Sequence, residues 1–112
     1  MNIRDRQIVE KIIAEIGVIH MMLECESLES FVLDERTKRA VCMTLINIGE
    51  LVKNLTVEFK DQNPEIPWRN IAGMRDVTAH KYQTLKMGDV WTTVQQDVPK
   101  IEVRLKALLN NG

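Results

Sequence analysis

The segment Gly73-Met74-Arg75-Asp76-Val77-Thr78-Ala79-His80-Lys81-Tyr82 concentrates side chains that can move protons and hold anions. His80 is one of two histidines in the chain, and Tyr82 is its only tyrosine. An arginine can grip phosphate oxygens through two parallel hydrogen bonds, and an imidazole can act as acid or base near neutral pH. Together they put groups with chemistry where a core-facing helix would carry apolar residues. If the segment is helical, Asp76 and His80 stand four apart on one face. There the carboxylate can accept the imidazole N–H, fix its tautomer and raise its pKa toward neutrality. Arg75 and Tyr82 stand seven apart on another face, about two turns and roughly 10 Å along the axis. Each residue alone has an ordinary structural explanation: a solvated pair for Asp76 and His80, a snorkelling Arg75, a Tyr82 at the edge of the core. Their convergence on one helix end singles them out.

The elements that would position this segment are read from apolar spacing. Ile8, Ile12, Ile16, Ile19 and Leu23, widened by Val9 and Ile13, form the core-facing stripe of a first helix. His20 lies beside that stripe and reads as a partly buried structural residue. Asp34 is the expected N-cap of a second helix whose stripe Val41, Leu45, Ile48, Val52, Leu55, Phe59 continues to Asn63-Pro64, with a polar stretch around Ser27 to Ser30 before it. Pro67 suits the first turn of a third helix, beginning at Trp68 and running to about Tyr82. Asp89 is the expected cap of a last helix carrying Val90, Val94, Val98, Ile101, Leu105 and Leu108, kinked or split at Pro99. No segment shows strand alternation. The expectation is an all-α fold, an antiparallel up-and-down bundle of four main helices forming a single domain over residues 1–112.

Composition narrows the function classes. With 112 residues there is room for one domain, and 15 Lys+Arg against 16 Asp+Glu exclude a molecule-wide electrostatic grip on nucleic acid or an anionic membrane. Nucleic-acid contact must be local. Between Asp61 and Asp89 the positives Arg69, Arg75, Lys81 and Lys86 are balanced by Asp61, Glu65, Asp76 and Asp89, so no basic patch is legible there. A run of apolar residues long enough to span a membrane is lacking, and a cytoplasmic protein is expected. Cys25 and Cys42 lie in apolar helical patterns, with no nearby partner to complete a zinc site, and buried reduced thiols are expected. No acidic cluster has metal-binding spacing, so no metal and no cofactor are expected.

Arg75, four residues, His80, one residue, Tyr82 matches the signature of the HepT-like toxins of the HEPN superfamily, and the chain resembles that family beyond the motif. Ile48-Gly49-Glu50, Ile66-Pro67-Trp68-Arg69, Ile71-Ala72-Gly73-Met74-Arg75-Asp76, and Val90-Trp91 followed by Asp97-Val98-Pro99 carry the likeness over most of the sequence. Many family members have asparagine where this chain has Asp76. The resemblance implies a dimeric, metal-independent ribonuclease with one active site built from the motifs of both protomers. By that resemblance Arg75 and His80 would be catalytic, and the spacing of Asp76 from His80 gives it a supporting role. The resemblance also implies a partner, a minimal nucleotidyltransferase antitoxin that transfers AMP onto Tyr82.

Physical chemistry supports the same reading. Metal-free RNA cleavage needs a base for the 2′-hydroxyl proton, an acid for the leaving 5′-oxygen and a cation for the phosphorane. One chain supplies one such histidine and one such arginine, and a two-fold homodimer supplies two of each. The alternative is a non-catalytic dimeric HEPN scaffold that binds RNA or nucleotide, or docks a nucleotidyltransferase. A plain helical adaptor is the third reading.

Overall fold

Asn2 starts the first helix: its side-chain oxygen accepts the Asp5 backbone N–H at 2.6 Å, satisfying a donor that the first turn would leave orphaned. Helix α1 then runs Ile3–Leu23 and buries the expected stripe from Ile8 to Leu23, with Ile13 partly covered at its edge. The computed structural model describes residues 1–73 and 82–111. Every regular element among them is helical, so the fold is all-α as expected.

The helices are shorter and more numerous than the spacing predicts. The polar stretch after α1 folds into α2, Leu28–Leu33. Ser27 Oγ accepts the Ser30 N–H at 3.1 Å while Ser30 Oγ accepts the Ser27 N–H at 2.8 Å, a reciprocal cap with serine in the place usually held by a longer side chain. Asp34 caps α3, Glu35–Lys53, as expected: its carboxylate accepts the Thr37 N–H at 3.0 Å and the Thr37 hydroxyl at 2.7 Å.

The single helix predicted from Asp34 to Asn63 is two helices, because α3 stops at Lys53 and α4 spans Val57–Gln62. The break is caused from α1. Asp5 is 1% exposed, and its two carboxylate oxygens accept the Thr56 N–H at 3.0 Å and the Thr56 hydroxyl at 2.6 Å. That N–H is then not available to the carbonyl four residues back, so the α-helix cannot continue through Thr56. Thr56 Oγ1 in turn accepts the Phe59 N–H at 3.2 Å and starts α4. Leu55 and Phe59 stay in the core, carried by a loop and a second helix.

Residues 68–73 are helical and are labelled α5. The predicted continuation to Tyr82 lies outside the described residues up to 81, and Tyr82 itself belongs to a 3₁₀ turn, Tyr82–Thr84, closed by the Leu85 N–H on the Tyr82 carbonyl at 3.2 Å. The last predicted helix begins earlier than its expected cap. Helix α6 is Met87–Thr92 with Lys86 at its cap position, and Asp89 sits inside the first turn, where a negative charge faces the free N–H groups.

Helix α7 is Val98–Asn111, joined to α6 by a π-helical turn, Thr93–Asp97. The expected irregularity thus falls in the turn before Pro99. Proline lacks the N–H that would bond to the Gln95 carbonyl and its ring would collide with it, and a widened turn relieves both. The turn also corrects phase. Two successive four-residue steps, Val90 to Val94 to Val98, would rotate an α-helical stripe by about 80°. All three side chains are buried.

Helix α1 lies against both α3 and α7, and α2 bridges α3 and α6. Phe31 of α2 is fully buried, its ring tilted on Trp91 of α6 at 5.4 Å. Between Ile12, Ile16, Leu45, Ile71 and Leu105 remains an apolar void of about 10 Å³, with no polar partner for a water among the described residues that line it.

Candidate active site

Helix α5 leads into the Arg75–Tyr82 segment, and its start is fixed firmly. The Trp68 indole N–H donates to the Lys60 carbonyl at 3.2 Å and the Asn63 carbonyl at 3.0 Å, and its ring tilts against Phe59 at 5.8 Å. Trp68 and Ile71 face the core, whereas Arg69 and Asn70 are exposed. Arg75, Asp76 and His80 lie outside the described residues.

Tyr82, the motif residue that is described, is half-buried and packs against the core. Above its ring stands Arg39 of α3, the guanidinium carbon 5.1 Å from the ring centroid, a cation–π contact between residues 43 positions apart. Arg39 also donates to Glu35 Oε1 at 3.2 Å, and Lys38 Nζ lies 2.9 Å from Glu35 Oε2. The Lys38 hydrogen bond holds the Glu35 carboxyl below its ordinary range. Sequence reasoning about the motif missed Arg39. The available signal was the run Arg36-Thr37-Lys38-Arg39, three cations in four residues just after the Asp34 cap.

A groove of about 730 Å³ opens where α5 meets the end of α3 and α4, and among the described residues its rim carries Lys53, Lys60 and Arg69 beside one acidic side chain, Asp61. The charge balance along residues 61–89 hid this asymmetry, because Lys53 and Lys60 enter from other helices. On the other side of α5 a hollow of about 320 Å³ carries Asp97, Lys100 and Arg104, and the Arg104 guanidinium donates to the Glu65 carbonyl. These surfaces can bind anions, the phosphates of a nucleic acid among them.

His20 is not partly buried as expected: its side chain is 46% exposed, and its Nε2 lies 3.0 Å from Glu102 Oε1, tying α1 to α7. The position is beside the buried stripe but turned to the rim where α7 passes. Burial opposes ionisation of Glu102, yet its hydrogen bonds to His20 and Lys106 prevail and lower its pKa. Cys42 is buried as expected, and that burial pushes its thiol up to about 11. Cys25 is exposed, contrary to expectation, because it lies in the turn after α1 has ended. Among the described residues no group of three or more His, Cys, Asp or Glu side chains could hold a metal ion, and no helix is long and apolar enough to cross a membrane.

A family model described as "Ribonuclease HepT-like" matches residues 12–108. The chain is 37% identical over 99 residues to a protein of Caldanaerobacter subterraneus subsp. tengcongensis named "Putative RNase TTE0752", covering 80% of this chain and 88% of that one. It is 40% identical over 80 residues to a Thermococcus cleftensis protein named "Probable ribonuclease HepT", covering 71% of this chain and 73% of that protein. No solved structure matches the chain.

Proposed function

The chain belongs to the ribonuclease HepT-like family, and on that premise we propose that it is a metal-independent endoribonuclease, the toxin of a toxin–antitoxin pair acting on cytoplasmic RNA. The observation that carries this is the family match over residues 12–108, which includes the ordered set Arg75, His80, Tyr82. In this reading residues 1–112 are one HEPN-like domain, and two copies form a homodimer with a composite site. His80 of one protomer takes the proton of the 2′-hydroxyl while His80 of its partner protonates the leaving 5′-oxygen. Arg75 from each protomer holds the phosphate oxygens as negative charge grows in the phosphorane. Asp76 supports by orienting the imidazole.

Tyr82 is the point of control. Its hydroxyl oxygen bonds to the α-phosphorus of ATP in a reaction catalysed by a minimal nucleotidyltransferase antitoxin, pyrophosphate leaves, and the phenolic proton is released. The product carries a negative phosphodiester and a bulky adenosine at the end of the motif, where it competes with RNA.

The test is to incubate the purified protein with RNA in excess chelator, with and without His80→Ala, and to analyse the ends. A 2′,3′-cyclic phosphate and a 5′-hydroxyl, absent with the variant, are the expected products. Ends bearing 5′-phosphate would implicate water and a metal instead. Binding of RNA without cleavage would leave the chain a scaffold.

A further inference from the structure

The motif of residues 75–82 and the cationic run of residues 36–39 are separate in sequence, and the fold joins them at one point. Arg39 lies over the ring of Tyr82 at 5.1 Å. Tyr82 is two residues from His80, and two residues of chain span at most about 7 Å. Arg39 therefore touches Tyr82, the last residue of the motif that carries the proposed catalysis. Arg36 and Arg39 are three apart on α3, hence on one face, and both are exposed. Arg39 keeps 63% of its side-chain surface exposed even while stacked on Tyr82 and bonded to Glu35.

The partners of Arg39 leave its charge in play. An ion pair with an exposed carboxylate is weak, and Glu35 is shared with Lys38. A guanidinium carries five N–H donors, so the one bonded to Glu35 and the contact with the Tyr82 ring leave donors that can meet phosphate oxygens. The nearby Asp34 carboxylate is engaged in its cap with Thr37.

We infer that Arg39, with Arg36 one turn before it, is a phosphate-binding positioning site for the RNA strand on either side of the scissile bond. The Tyr82 ring holds the Arg39 guanidinium in place for that contact. This deepens the ribonuclease reading and rests on it for the identity of the ligand. The residues contribute no proton transfer; they fix the strand so that the 2′-oxygen and phosphate meet the motif. Tyr82 would then serve twice, as the platform for Arg39 and as the modified residue.

Binding is measured by fluorescence anisotropy with a 2′-O-methyl oligoribonucleotide, which cannot be cleaved through its 2′-oxygen, at several salt concentrations. Arg39→Gln should weaken binding about fivefold to tenfold and make the salt slope shallower by about 0.7, the share of one phosphate contact on a single strand. Arg39→Lys should recover much of the slope, and Arg36→Gln should show a smaller loss. Lys106→Gln, which removes the same charge from α7 where Lys106 pairs with Glu102, should leave the slope unchanged. With cleavable RNA, Arg39→Gln should raise KM more than it lowers kcat. An unchanged slope in Arg39→Gln, or an equal loss in Lys106→Gln, overturns the inference, as does failure of the wild type to bind the oligonucleotide. Cleavage by a wild type whose Arg39→Gln variant binds normally would sink this inference and leave the ribonuclease reading intact. Arg39-dependent binding with no cleavage of ordinary RNA would overturn the ribonuclease reading, and with it the positioning role about a scissile bond, leaving Arg39 an RNA contact alone.

Discussion

At the scale of single residues, the proposed chemistry makes a separable demand on Arg75 and His80. His80→Ala and Arg75→Ala should each abolish chelator-resistant RNA cleavage while circular dichroism and melting temperature stay nearly those of the wild type. A variant that fails to fold would show that the residue serves the core. The thiols give a second expectation, because Cys42 is buried with a pKa raised to about 11 whereas Cys25 is exposed. Iodoacetamide at pH 8 should modify Cys25 in the native protein and reach Cys42 only on unfolding, as read by peptide mass. The raised Cys42 pKa also fixes a pH dependence. A folded-state pKa above the unfolded value of 9.0 means the folded state holds the proton more tightly. The stability it contributes is complete below pH 9 and is lost as pH rises toward 11. Chemical denaturation of Cys42→Ala and wild type across that range should show the wild type losing stability more steeply.

At the scale of elements, the Asp5–Thr56 contact decides where α3 and α4 separate. Asp5→Ala removes both acceptors and leaves the Thr56 N–H without its partner, which should cost about 1–3 kcal/mol and lower the denaturation midpoint. Asp5→Asn, which retains one acceptor oxygen, should cost less. The same contact shows what sequence could and could not reveal. The α1 stripe was legible because its cause is local: Ile8, Ile12, Ile16, Ile19 and Leu23 share one helix, and spacing alone assigns their face. The break after Lys53 was not, because the carboxylate that causes it lies 51 residues away on another helix. Leu55 and Phe59 continued an unbroken apolar pattern across it. Ser27 and Ser30 were polar punctuation until their mutual capping made a helix of them. The candidate site divides in the same way. Arg75, Asp76, His80 and Tyr82 could be nominated as neighbours in a run, whereas Arg39 joins Tyr82 only through the packing of α3.

At the scale of the whole molecule, a net charge of −1 and a proposed RNA substrate are compatible because charge is sorted in space. Lys53, Lys60 and Arg69 gather on one groove and Arg36 and Arg39 on an exposed stretch of α3, while acidic side chains such as Glu102 pair with His20 and Lys106. Affinity for RNA should therefore fall steeply with salt although the protein is slightly acidic. The composite site further requires that the protein sediment as a dimer at micromolar concentration. A monomer there, still active in chelator, would exclude a site shared between protomers.

The π-helical turn Thr93–Asp97 means that α6 and α7 together hold one residue more than an unbroken α-helix of the same span would need. That surplus makes the segment a reservoir of length. Removal of one residue there, such as Gln96, together with Pro99→Ala, should close the wide turn into ordinary α-helix and leave Val90, Val94, Ile101 and Leu105 on one face. Removal of one residue from the middle of α1, which has no such slack, would turn half its stripe by about 100° away from α3 and α7. Thermal melts of the two shortened proteins should accordingly part company: the first stays folded near the wild-type midpoint, and the second loses its cooperative transition. Over evolutionary time, the same slack marks residues 93–97 as the place where a one-residue gain or loss is tolerated without redesigning the core.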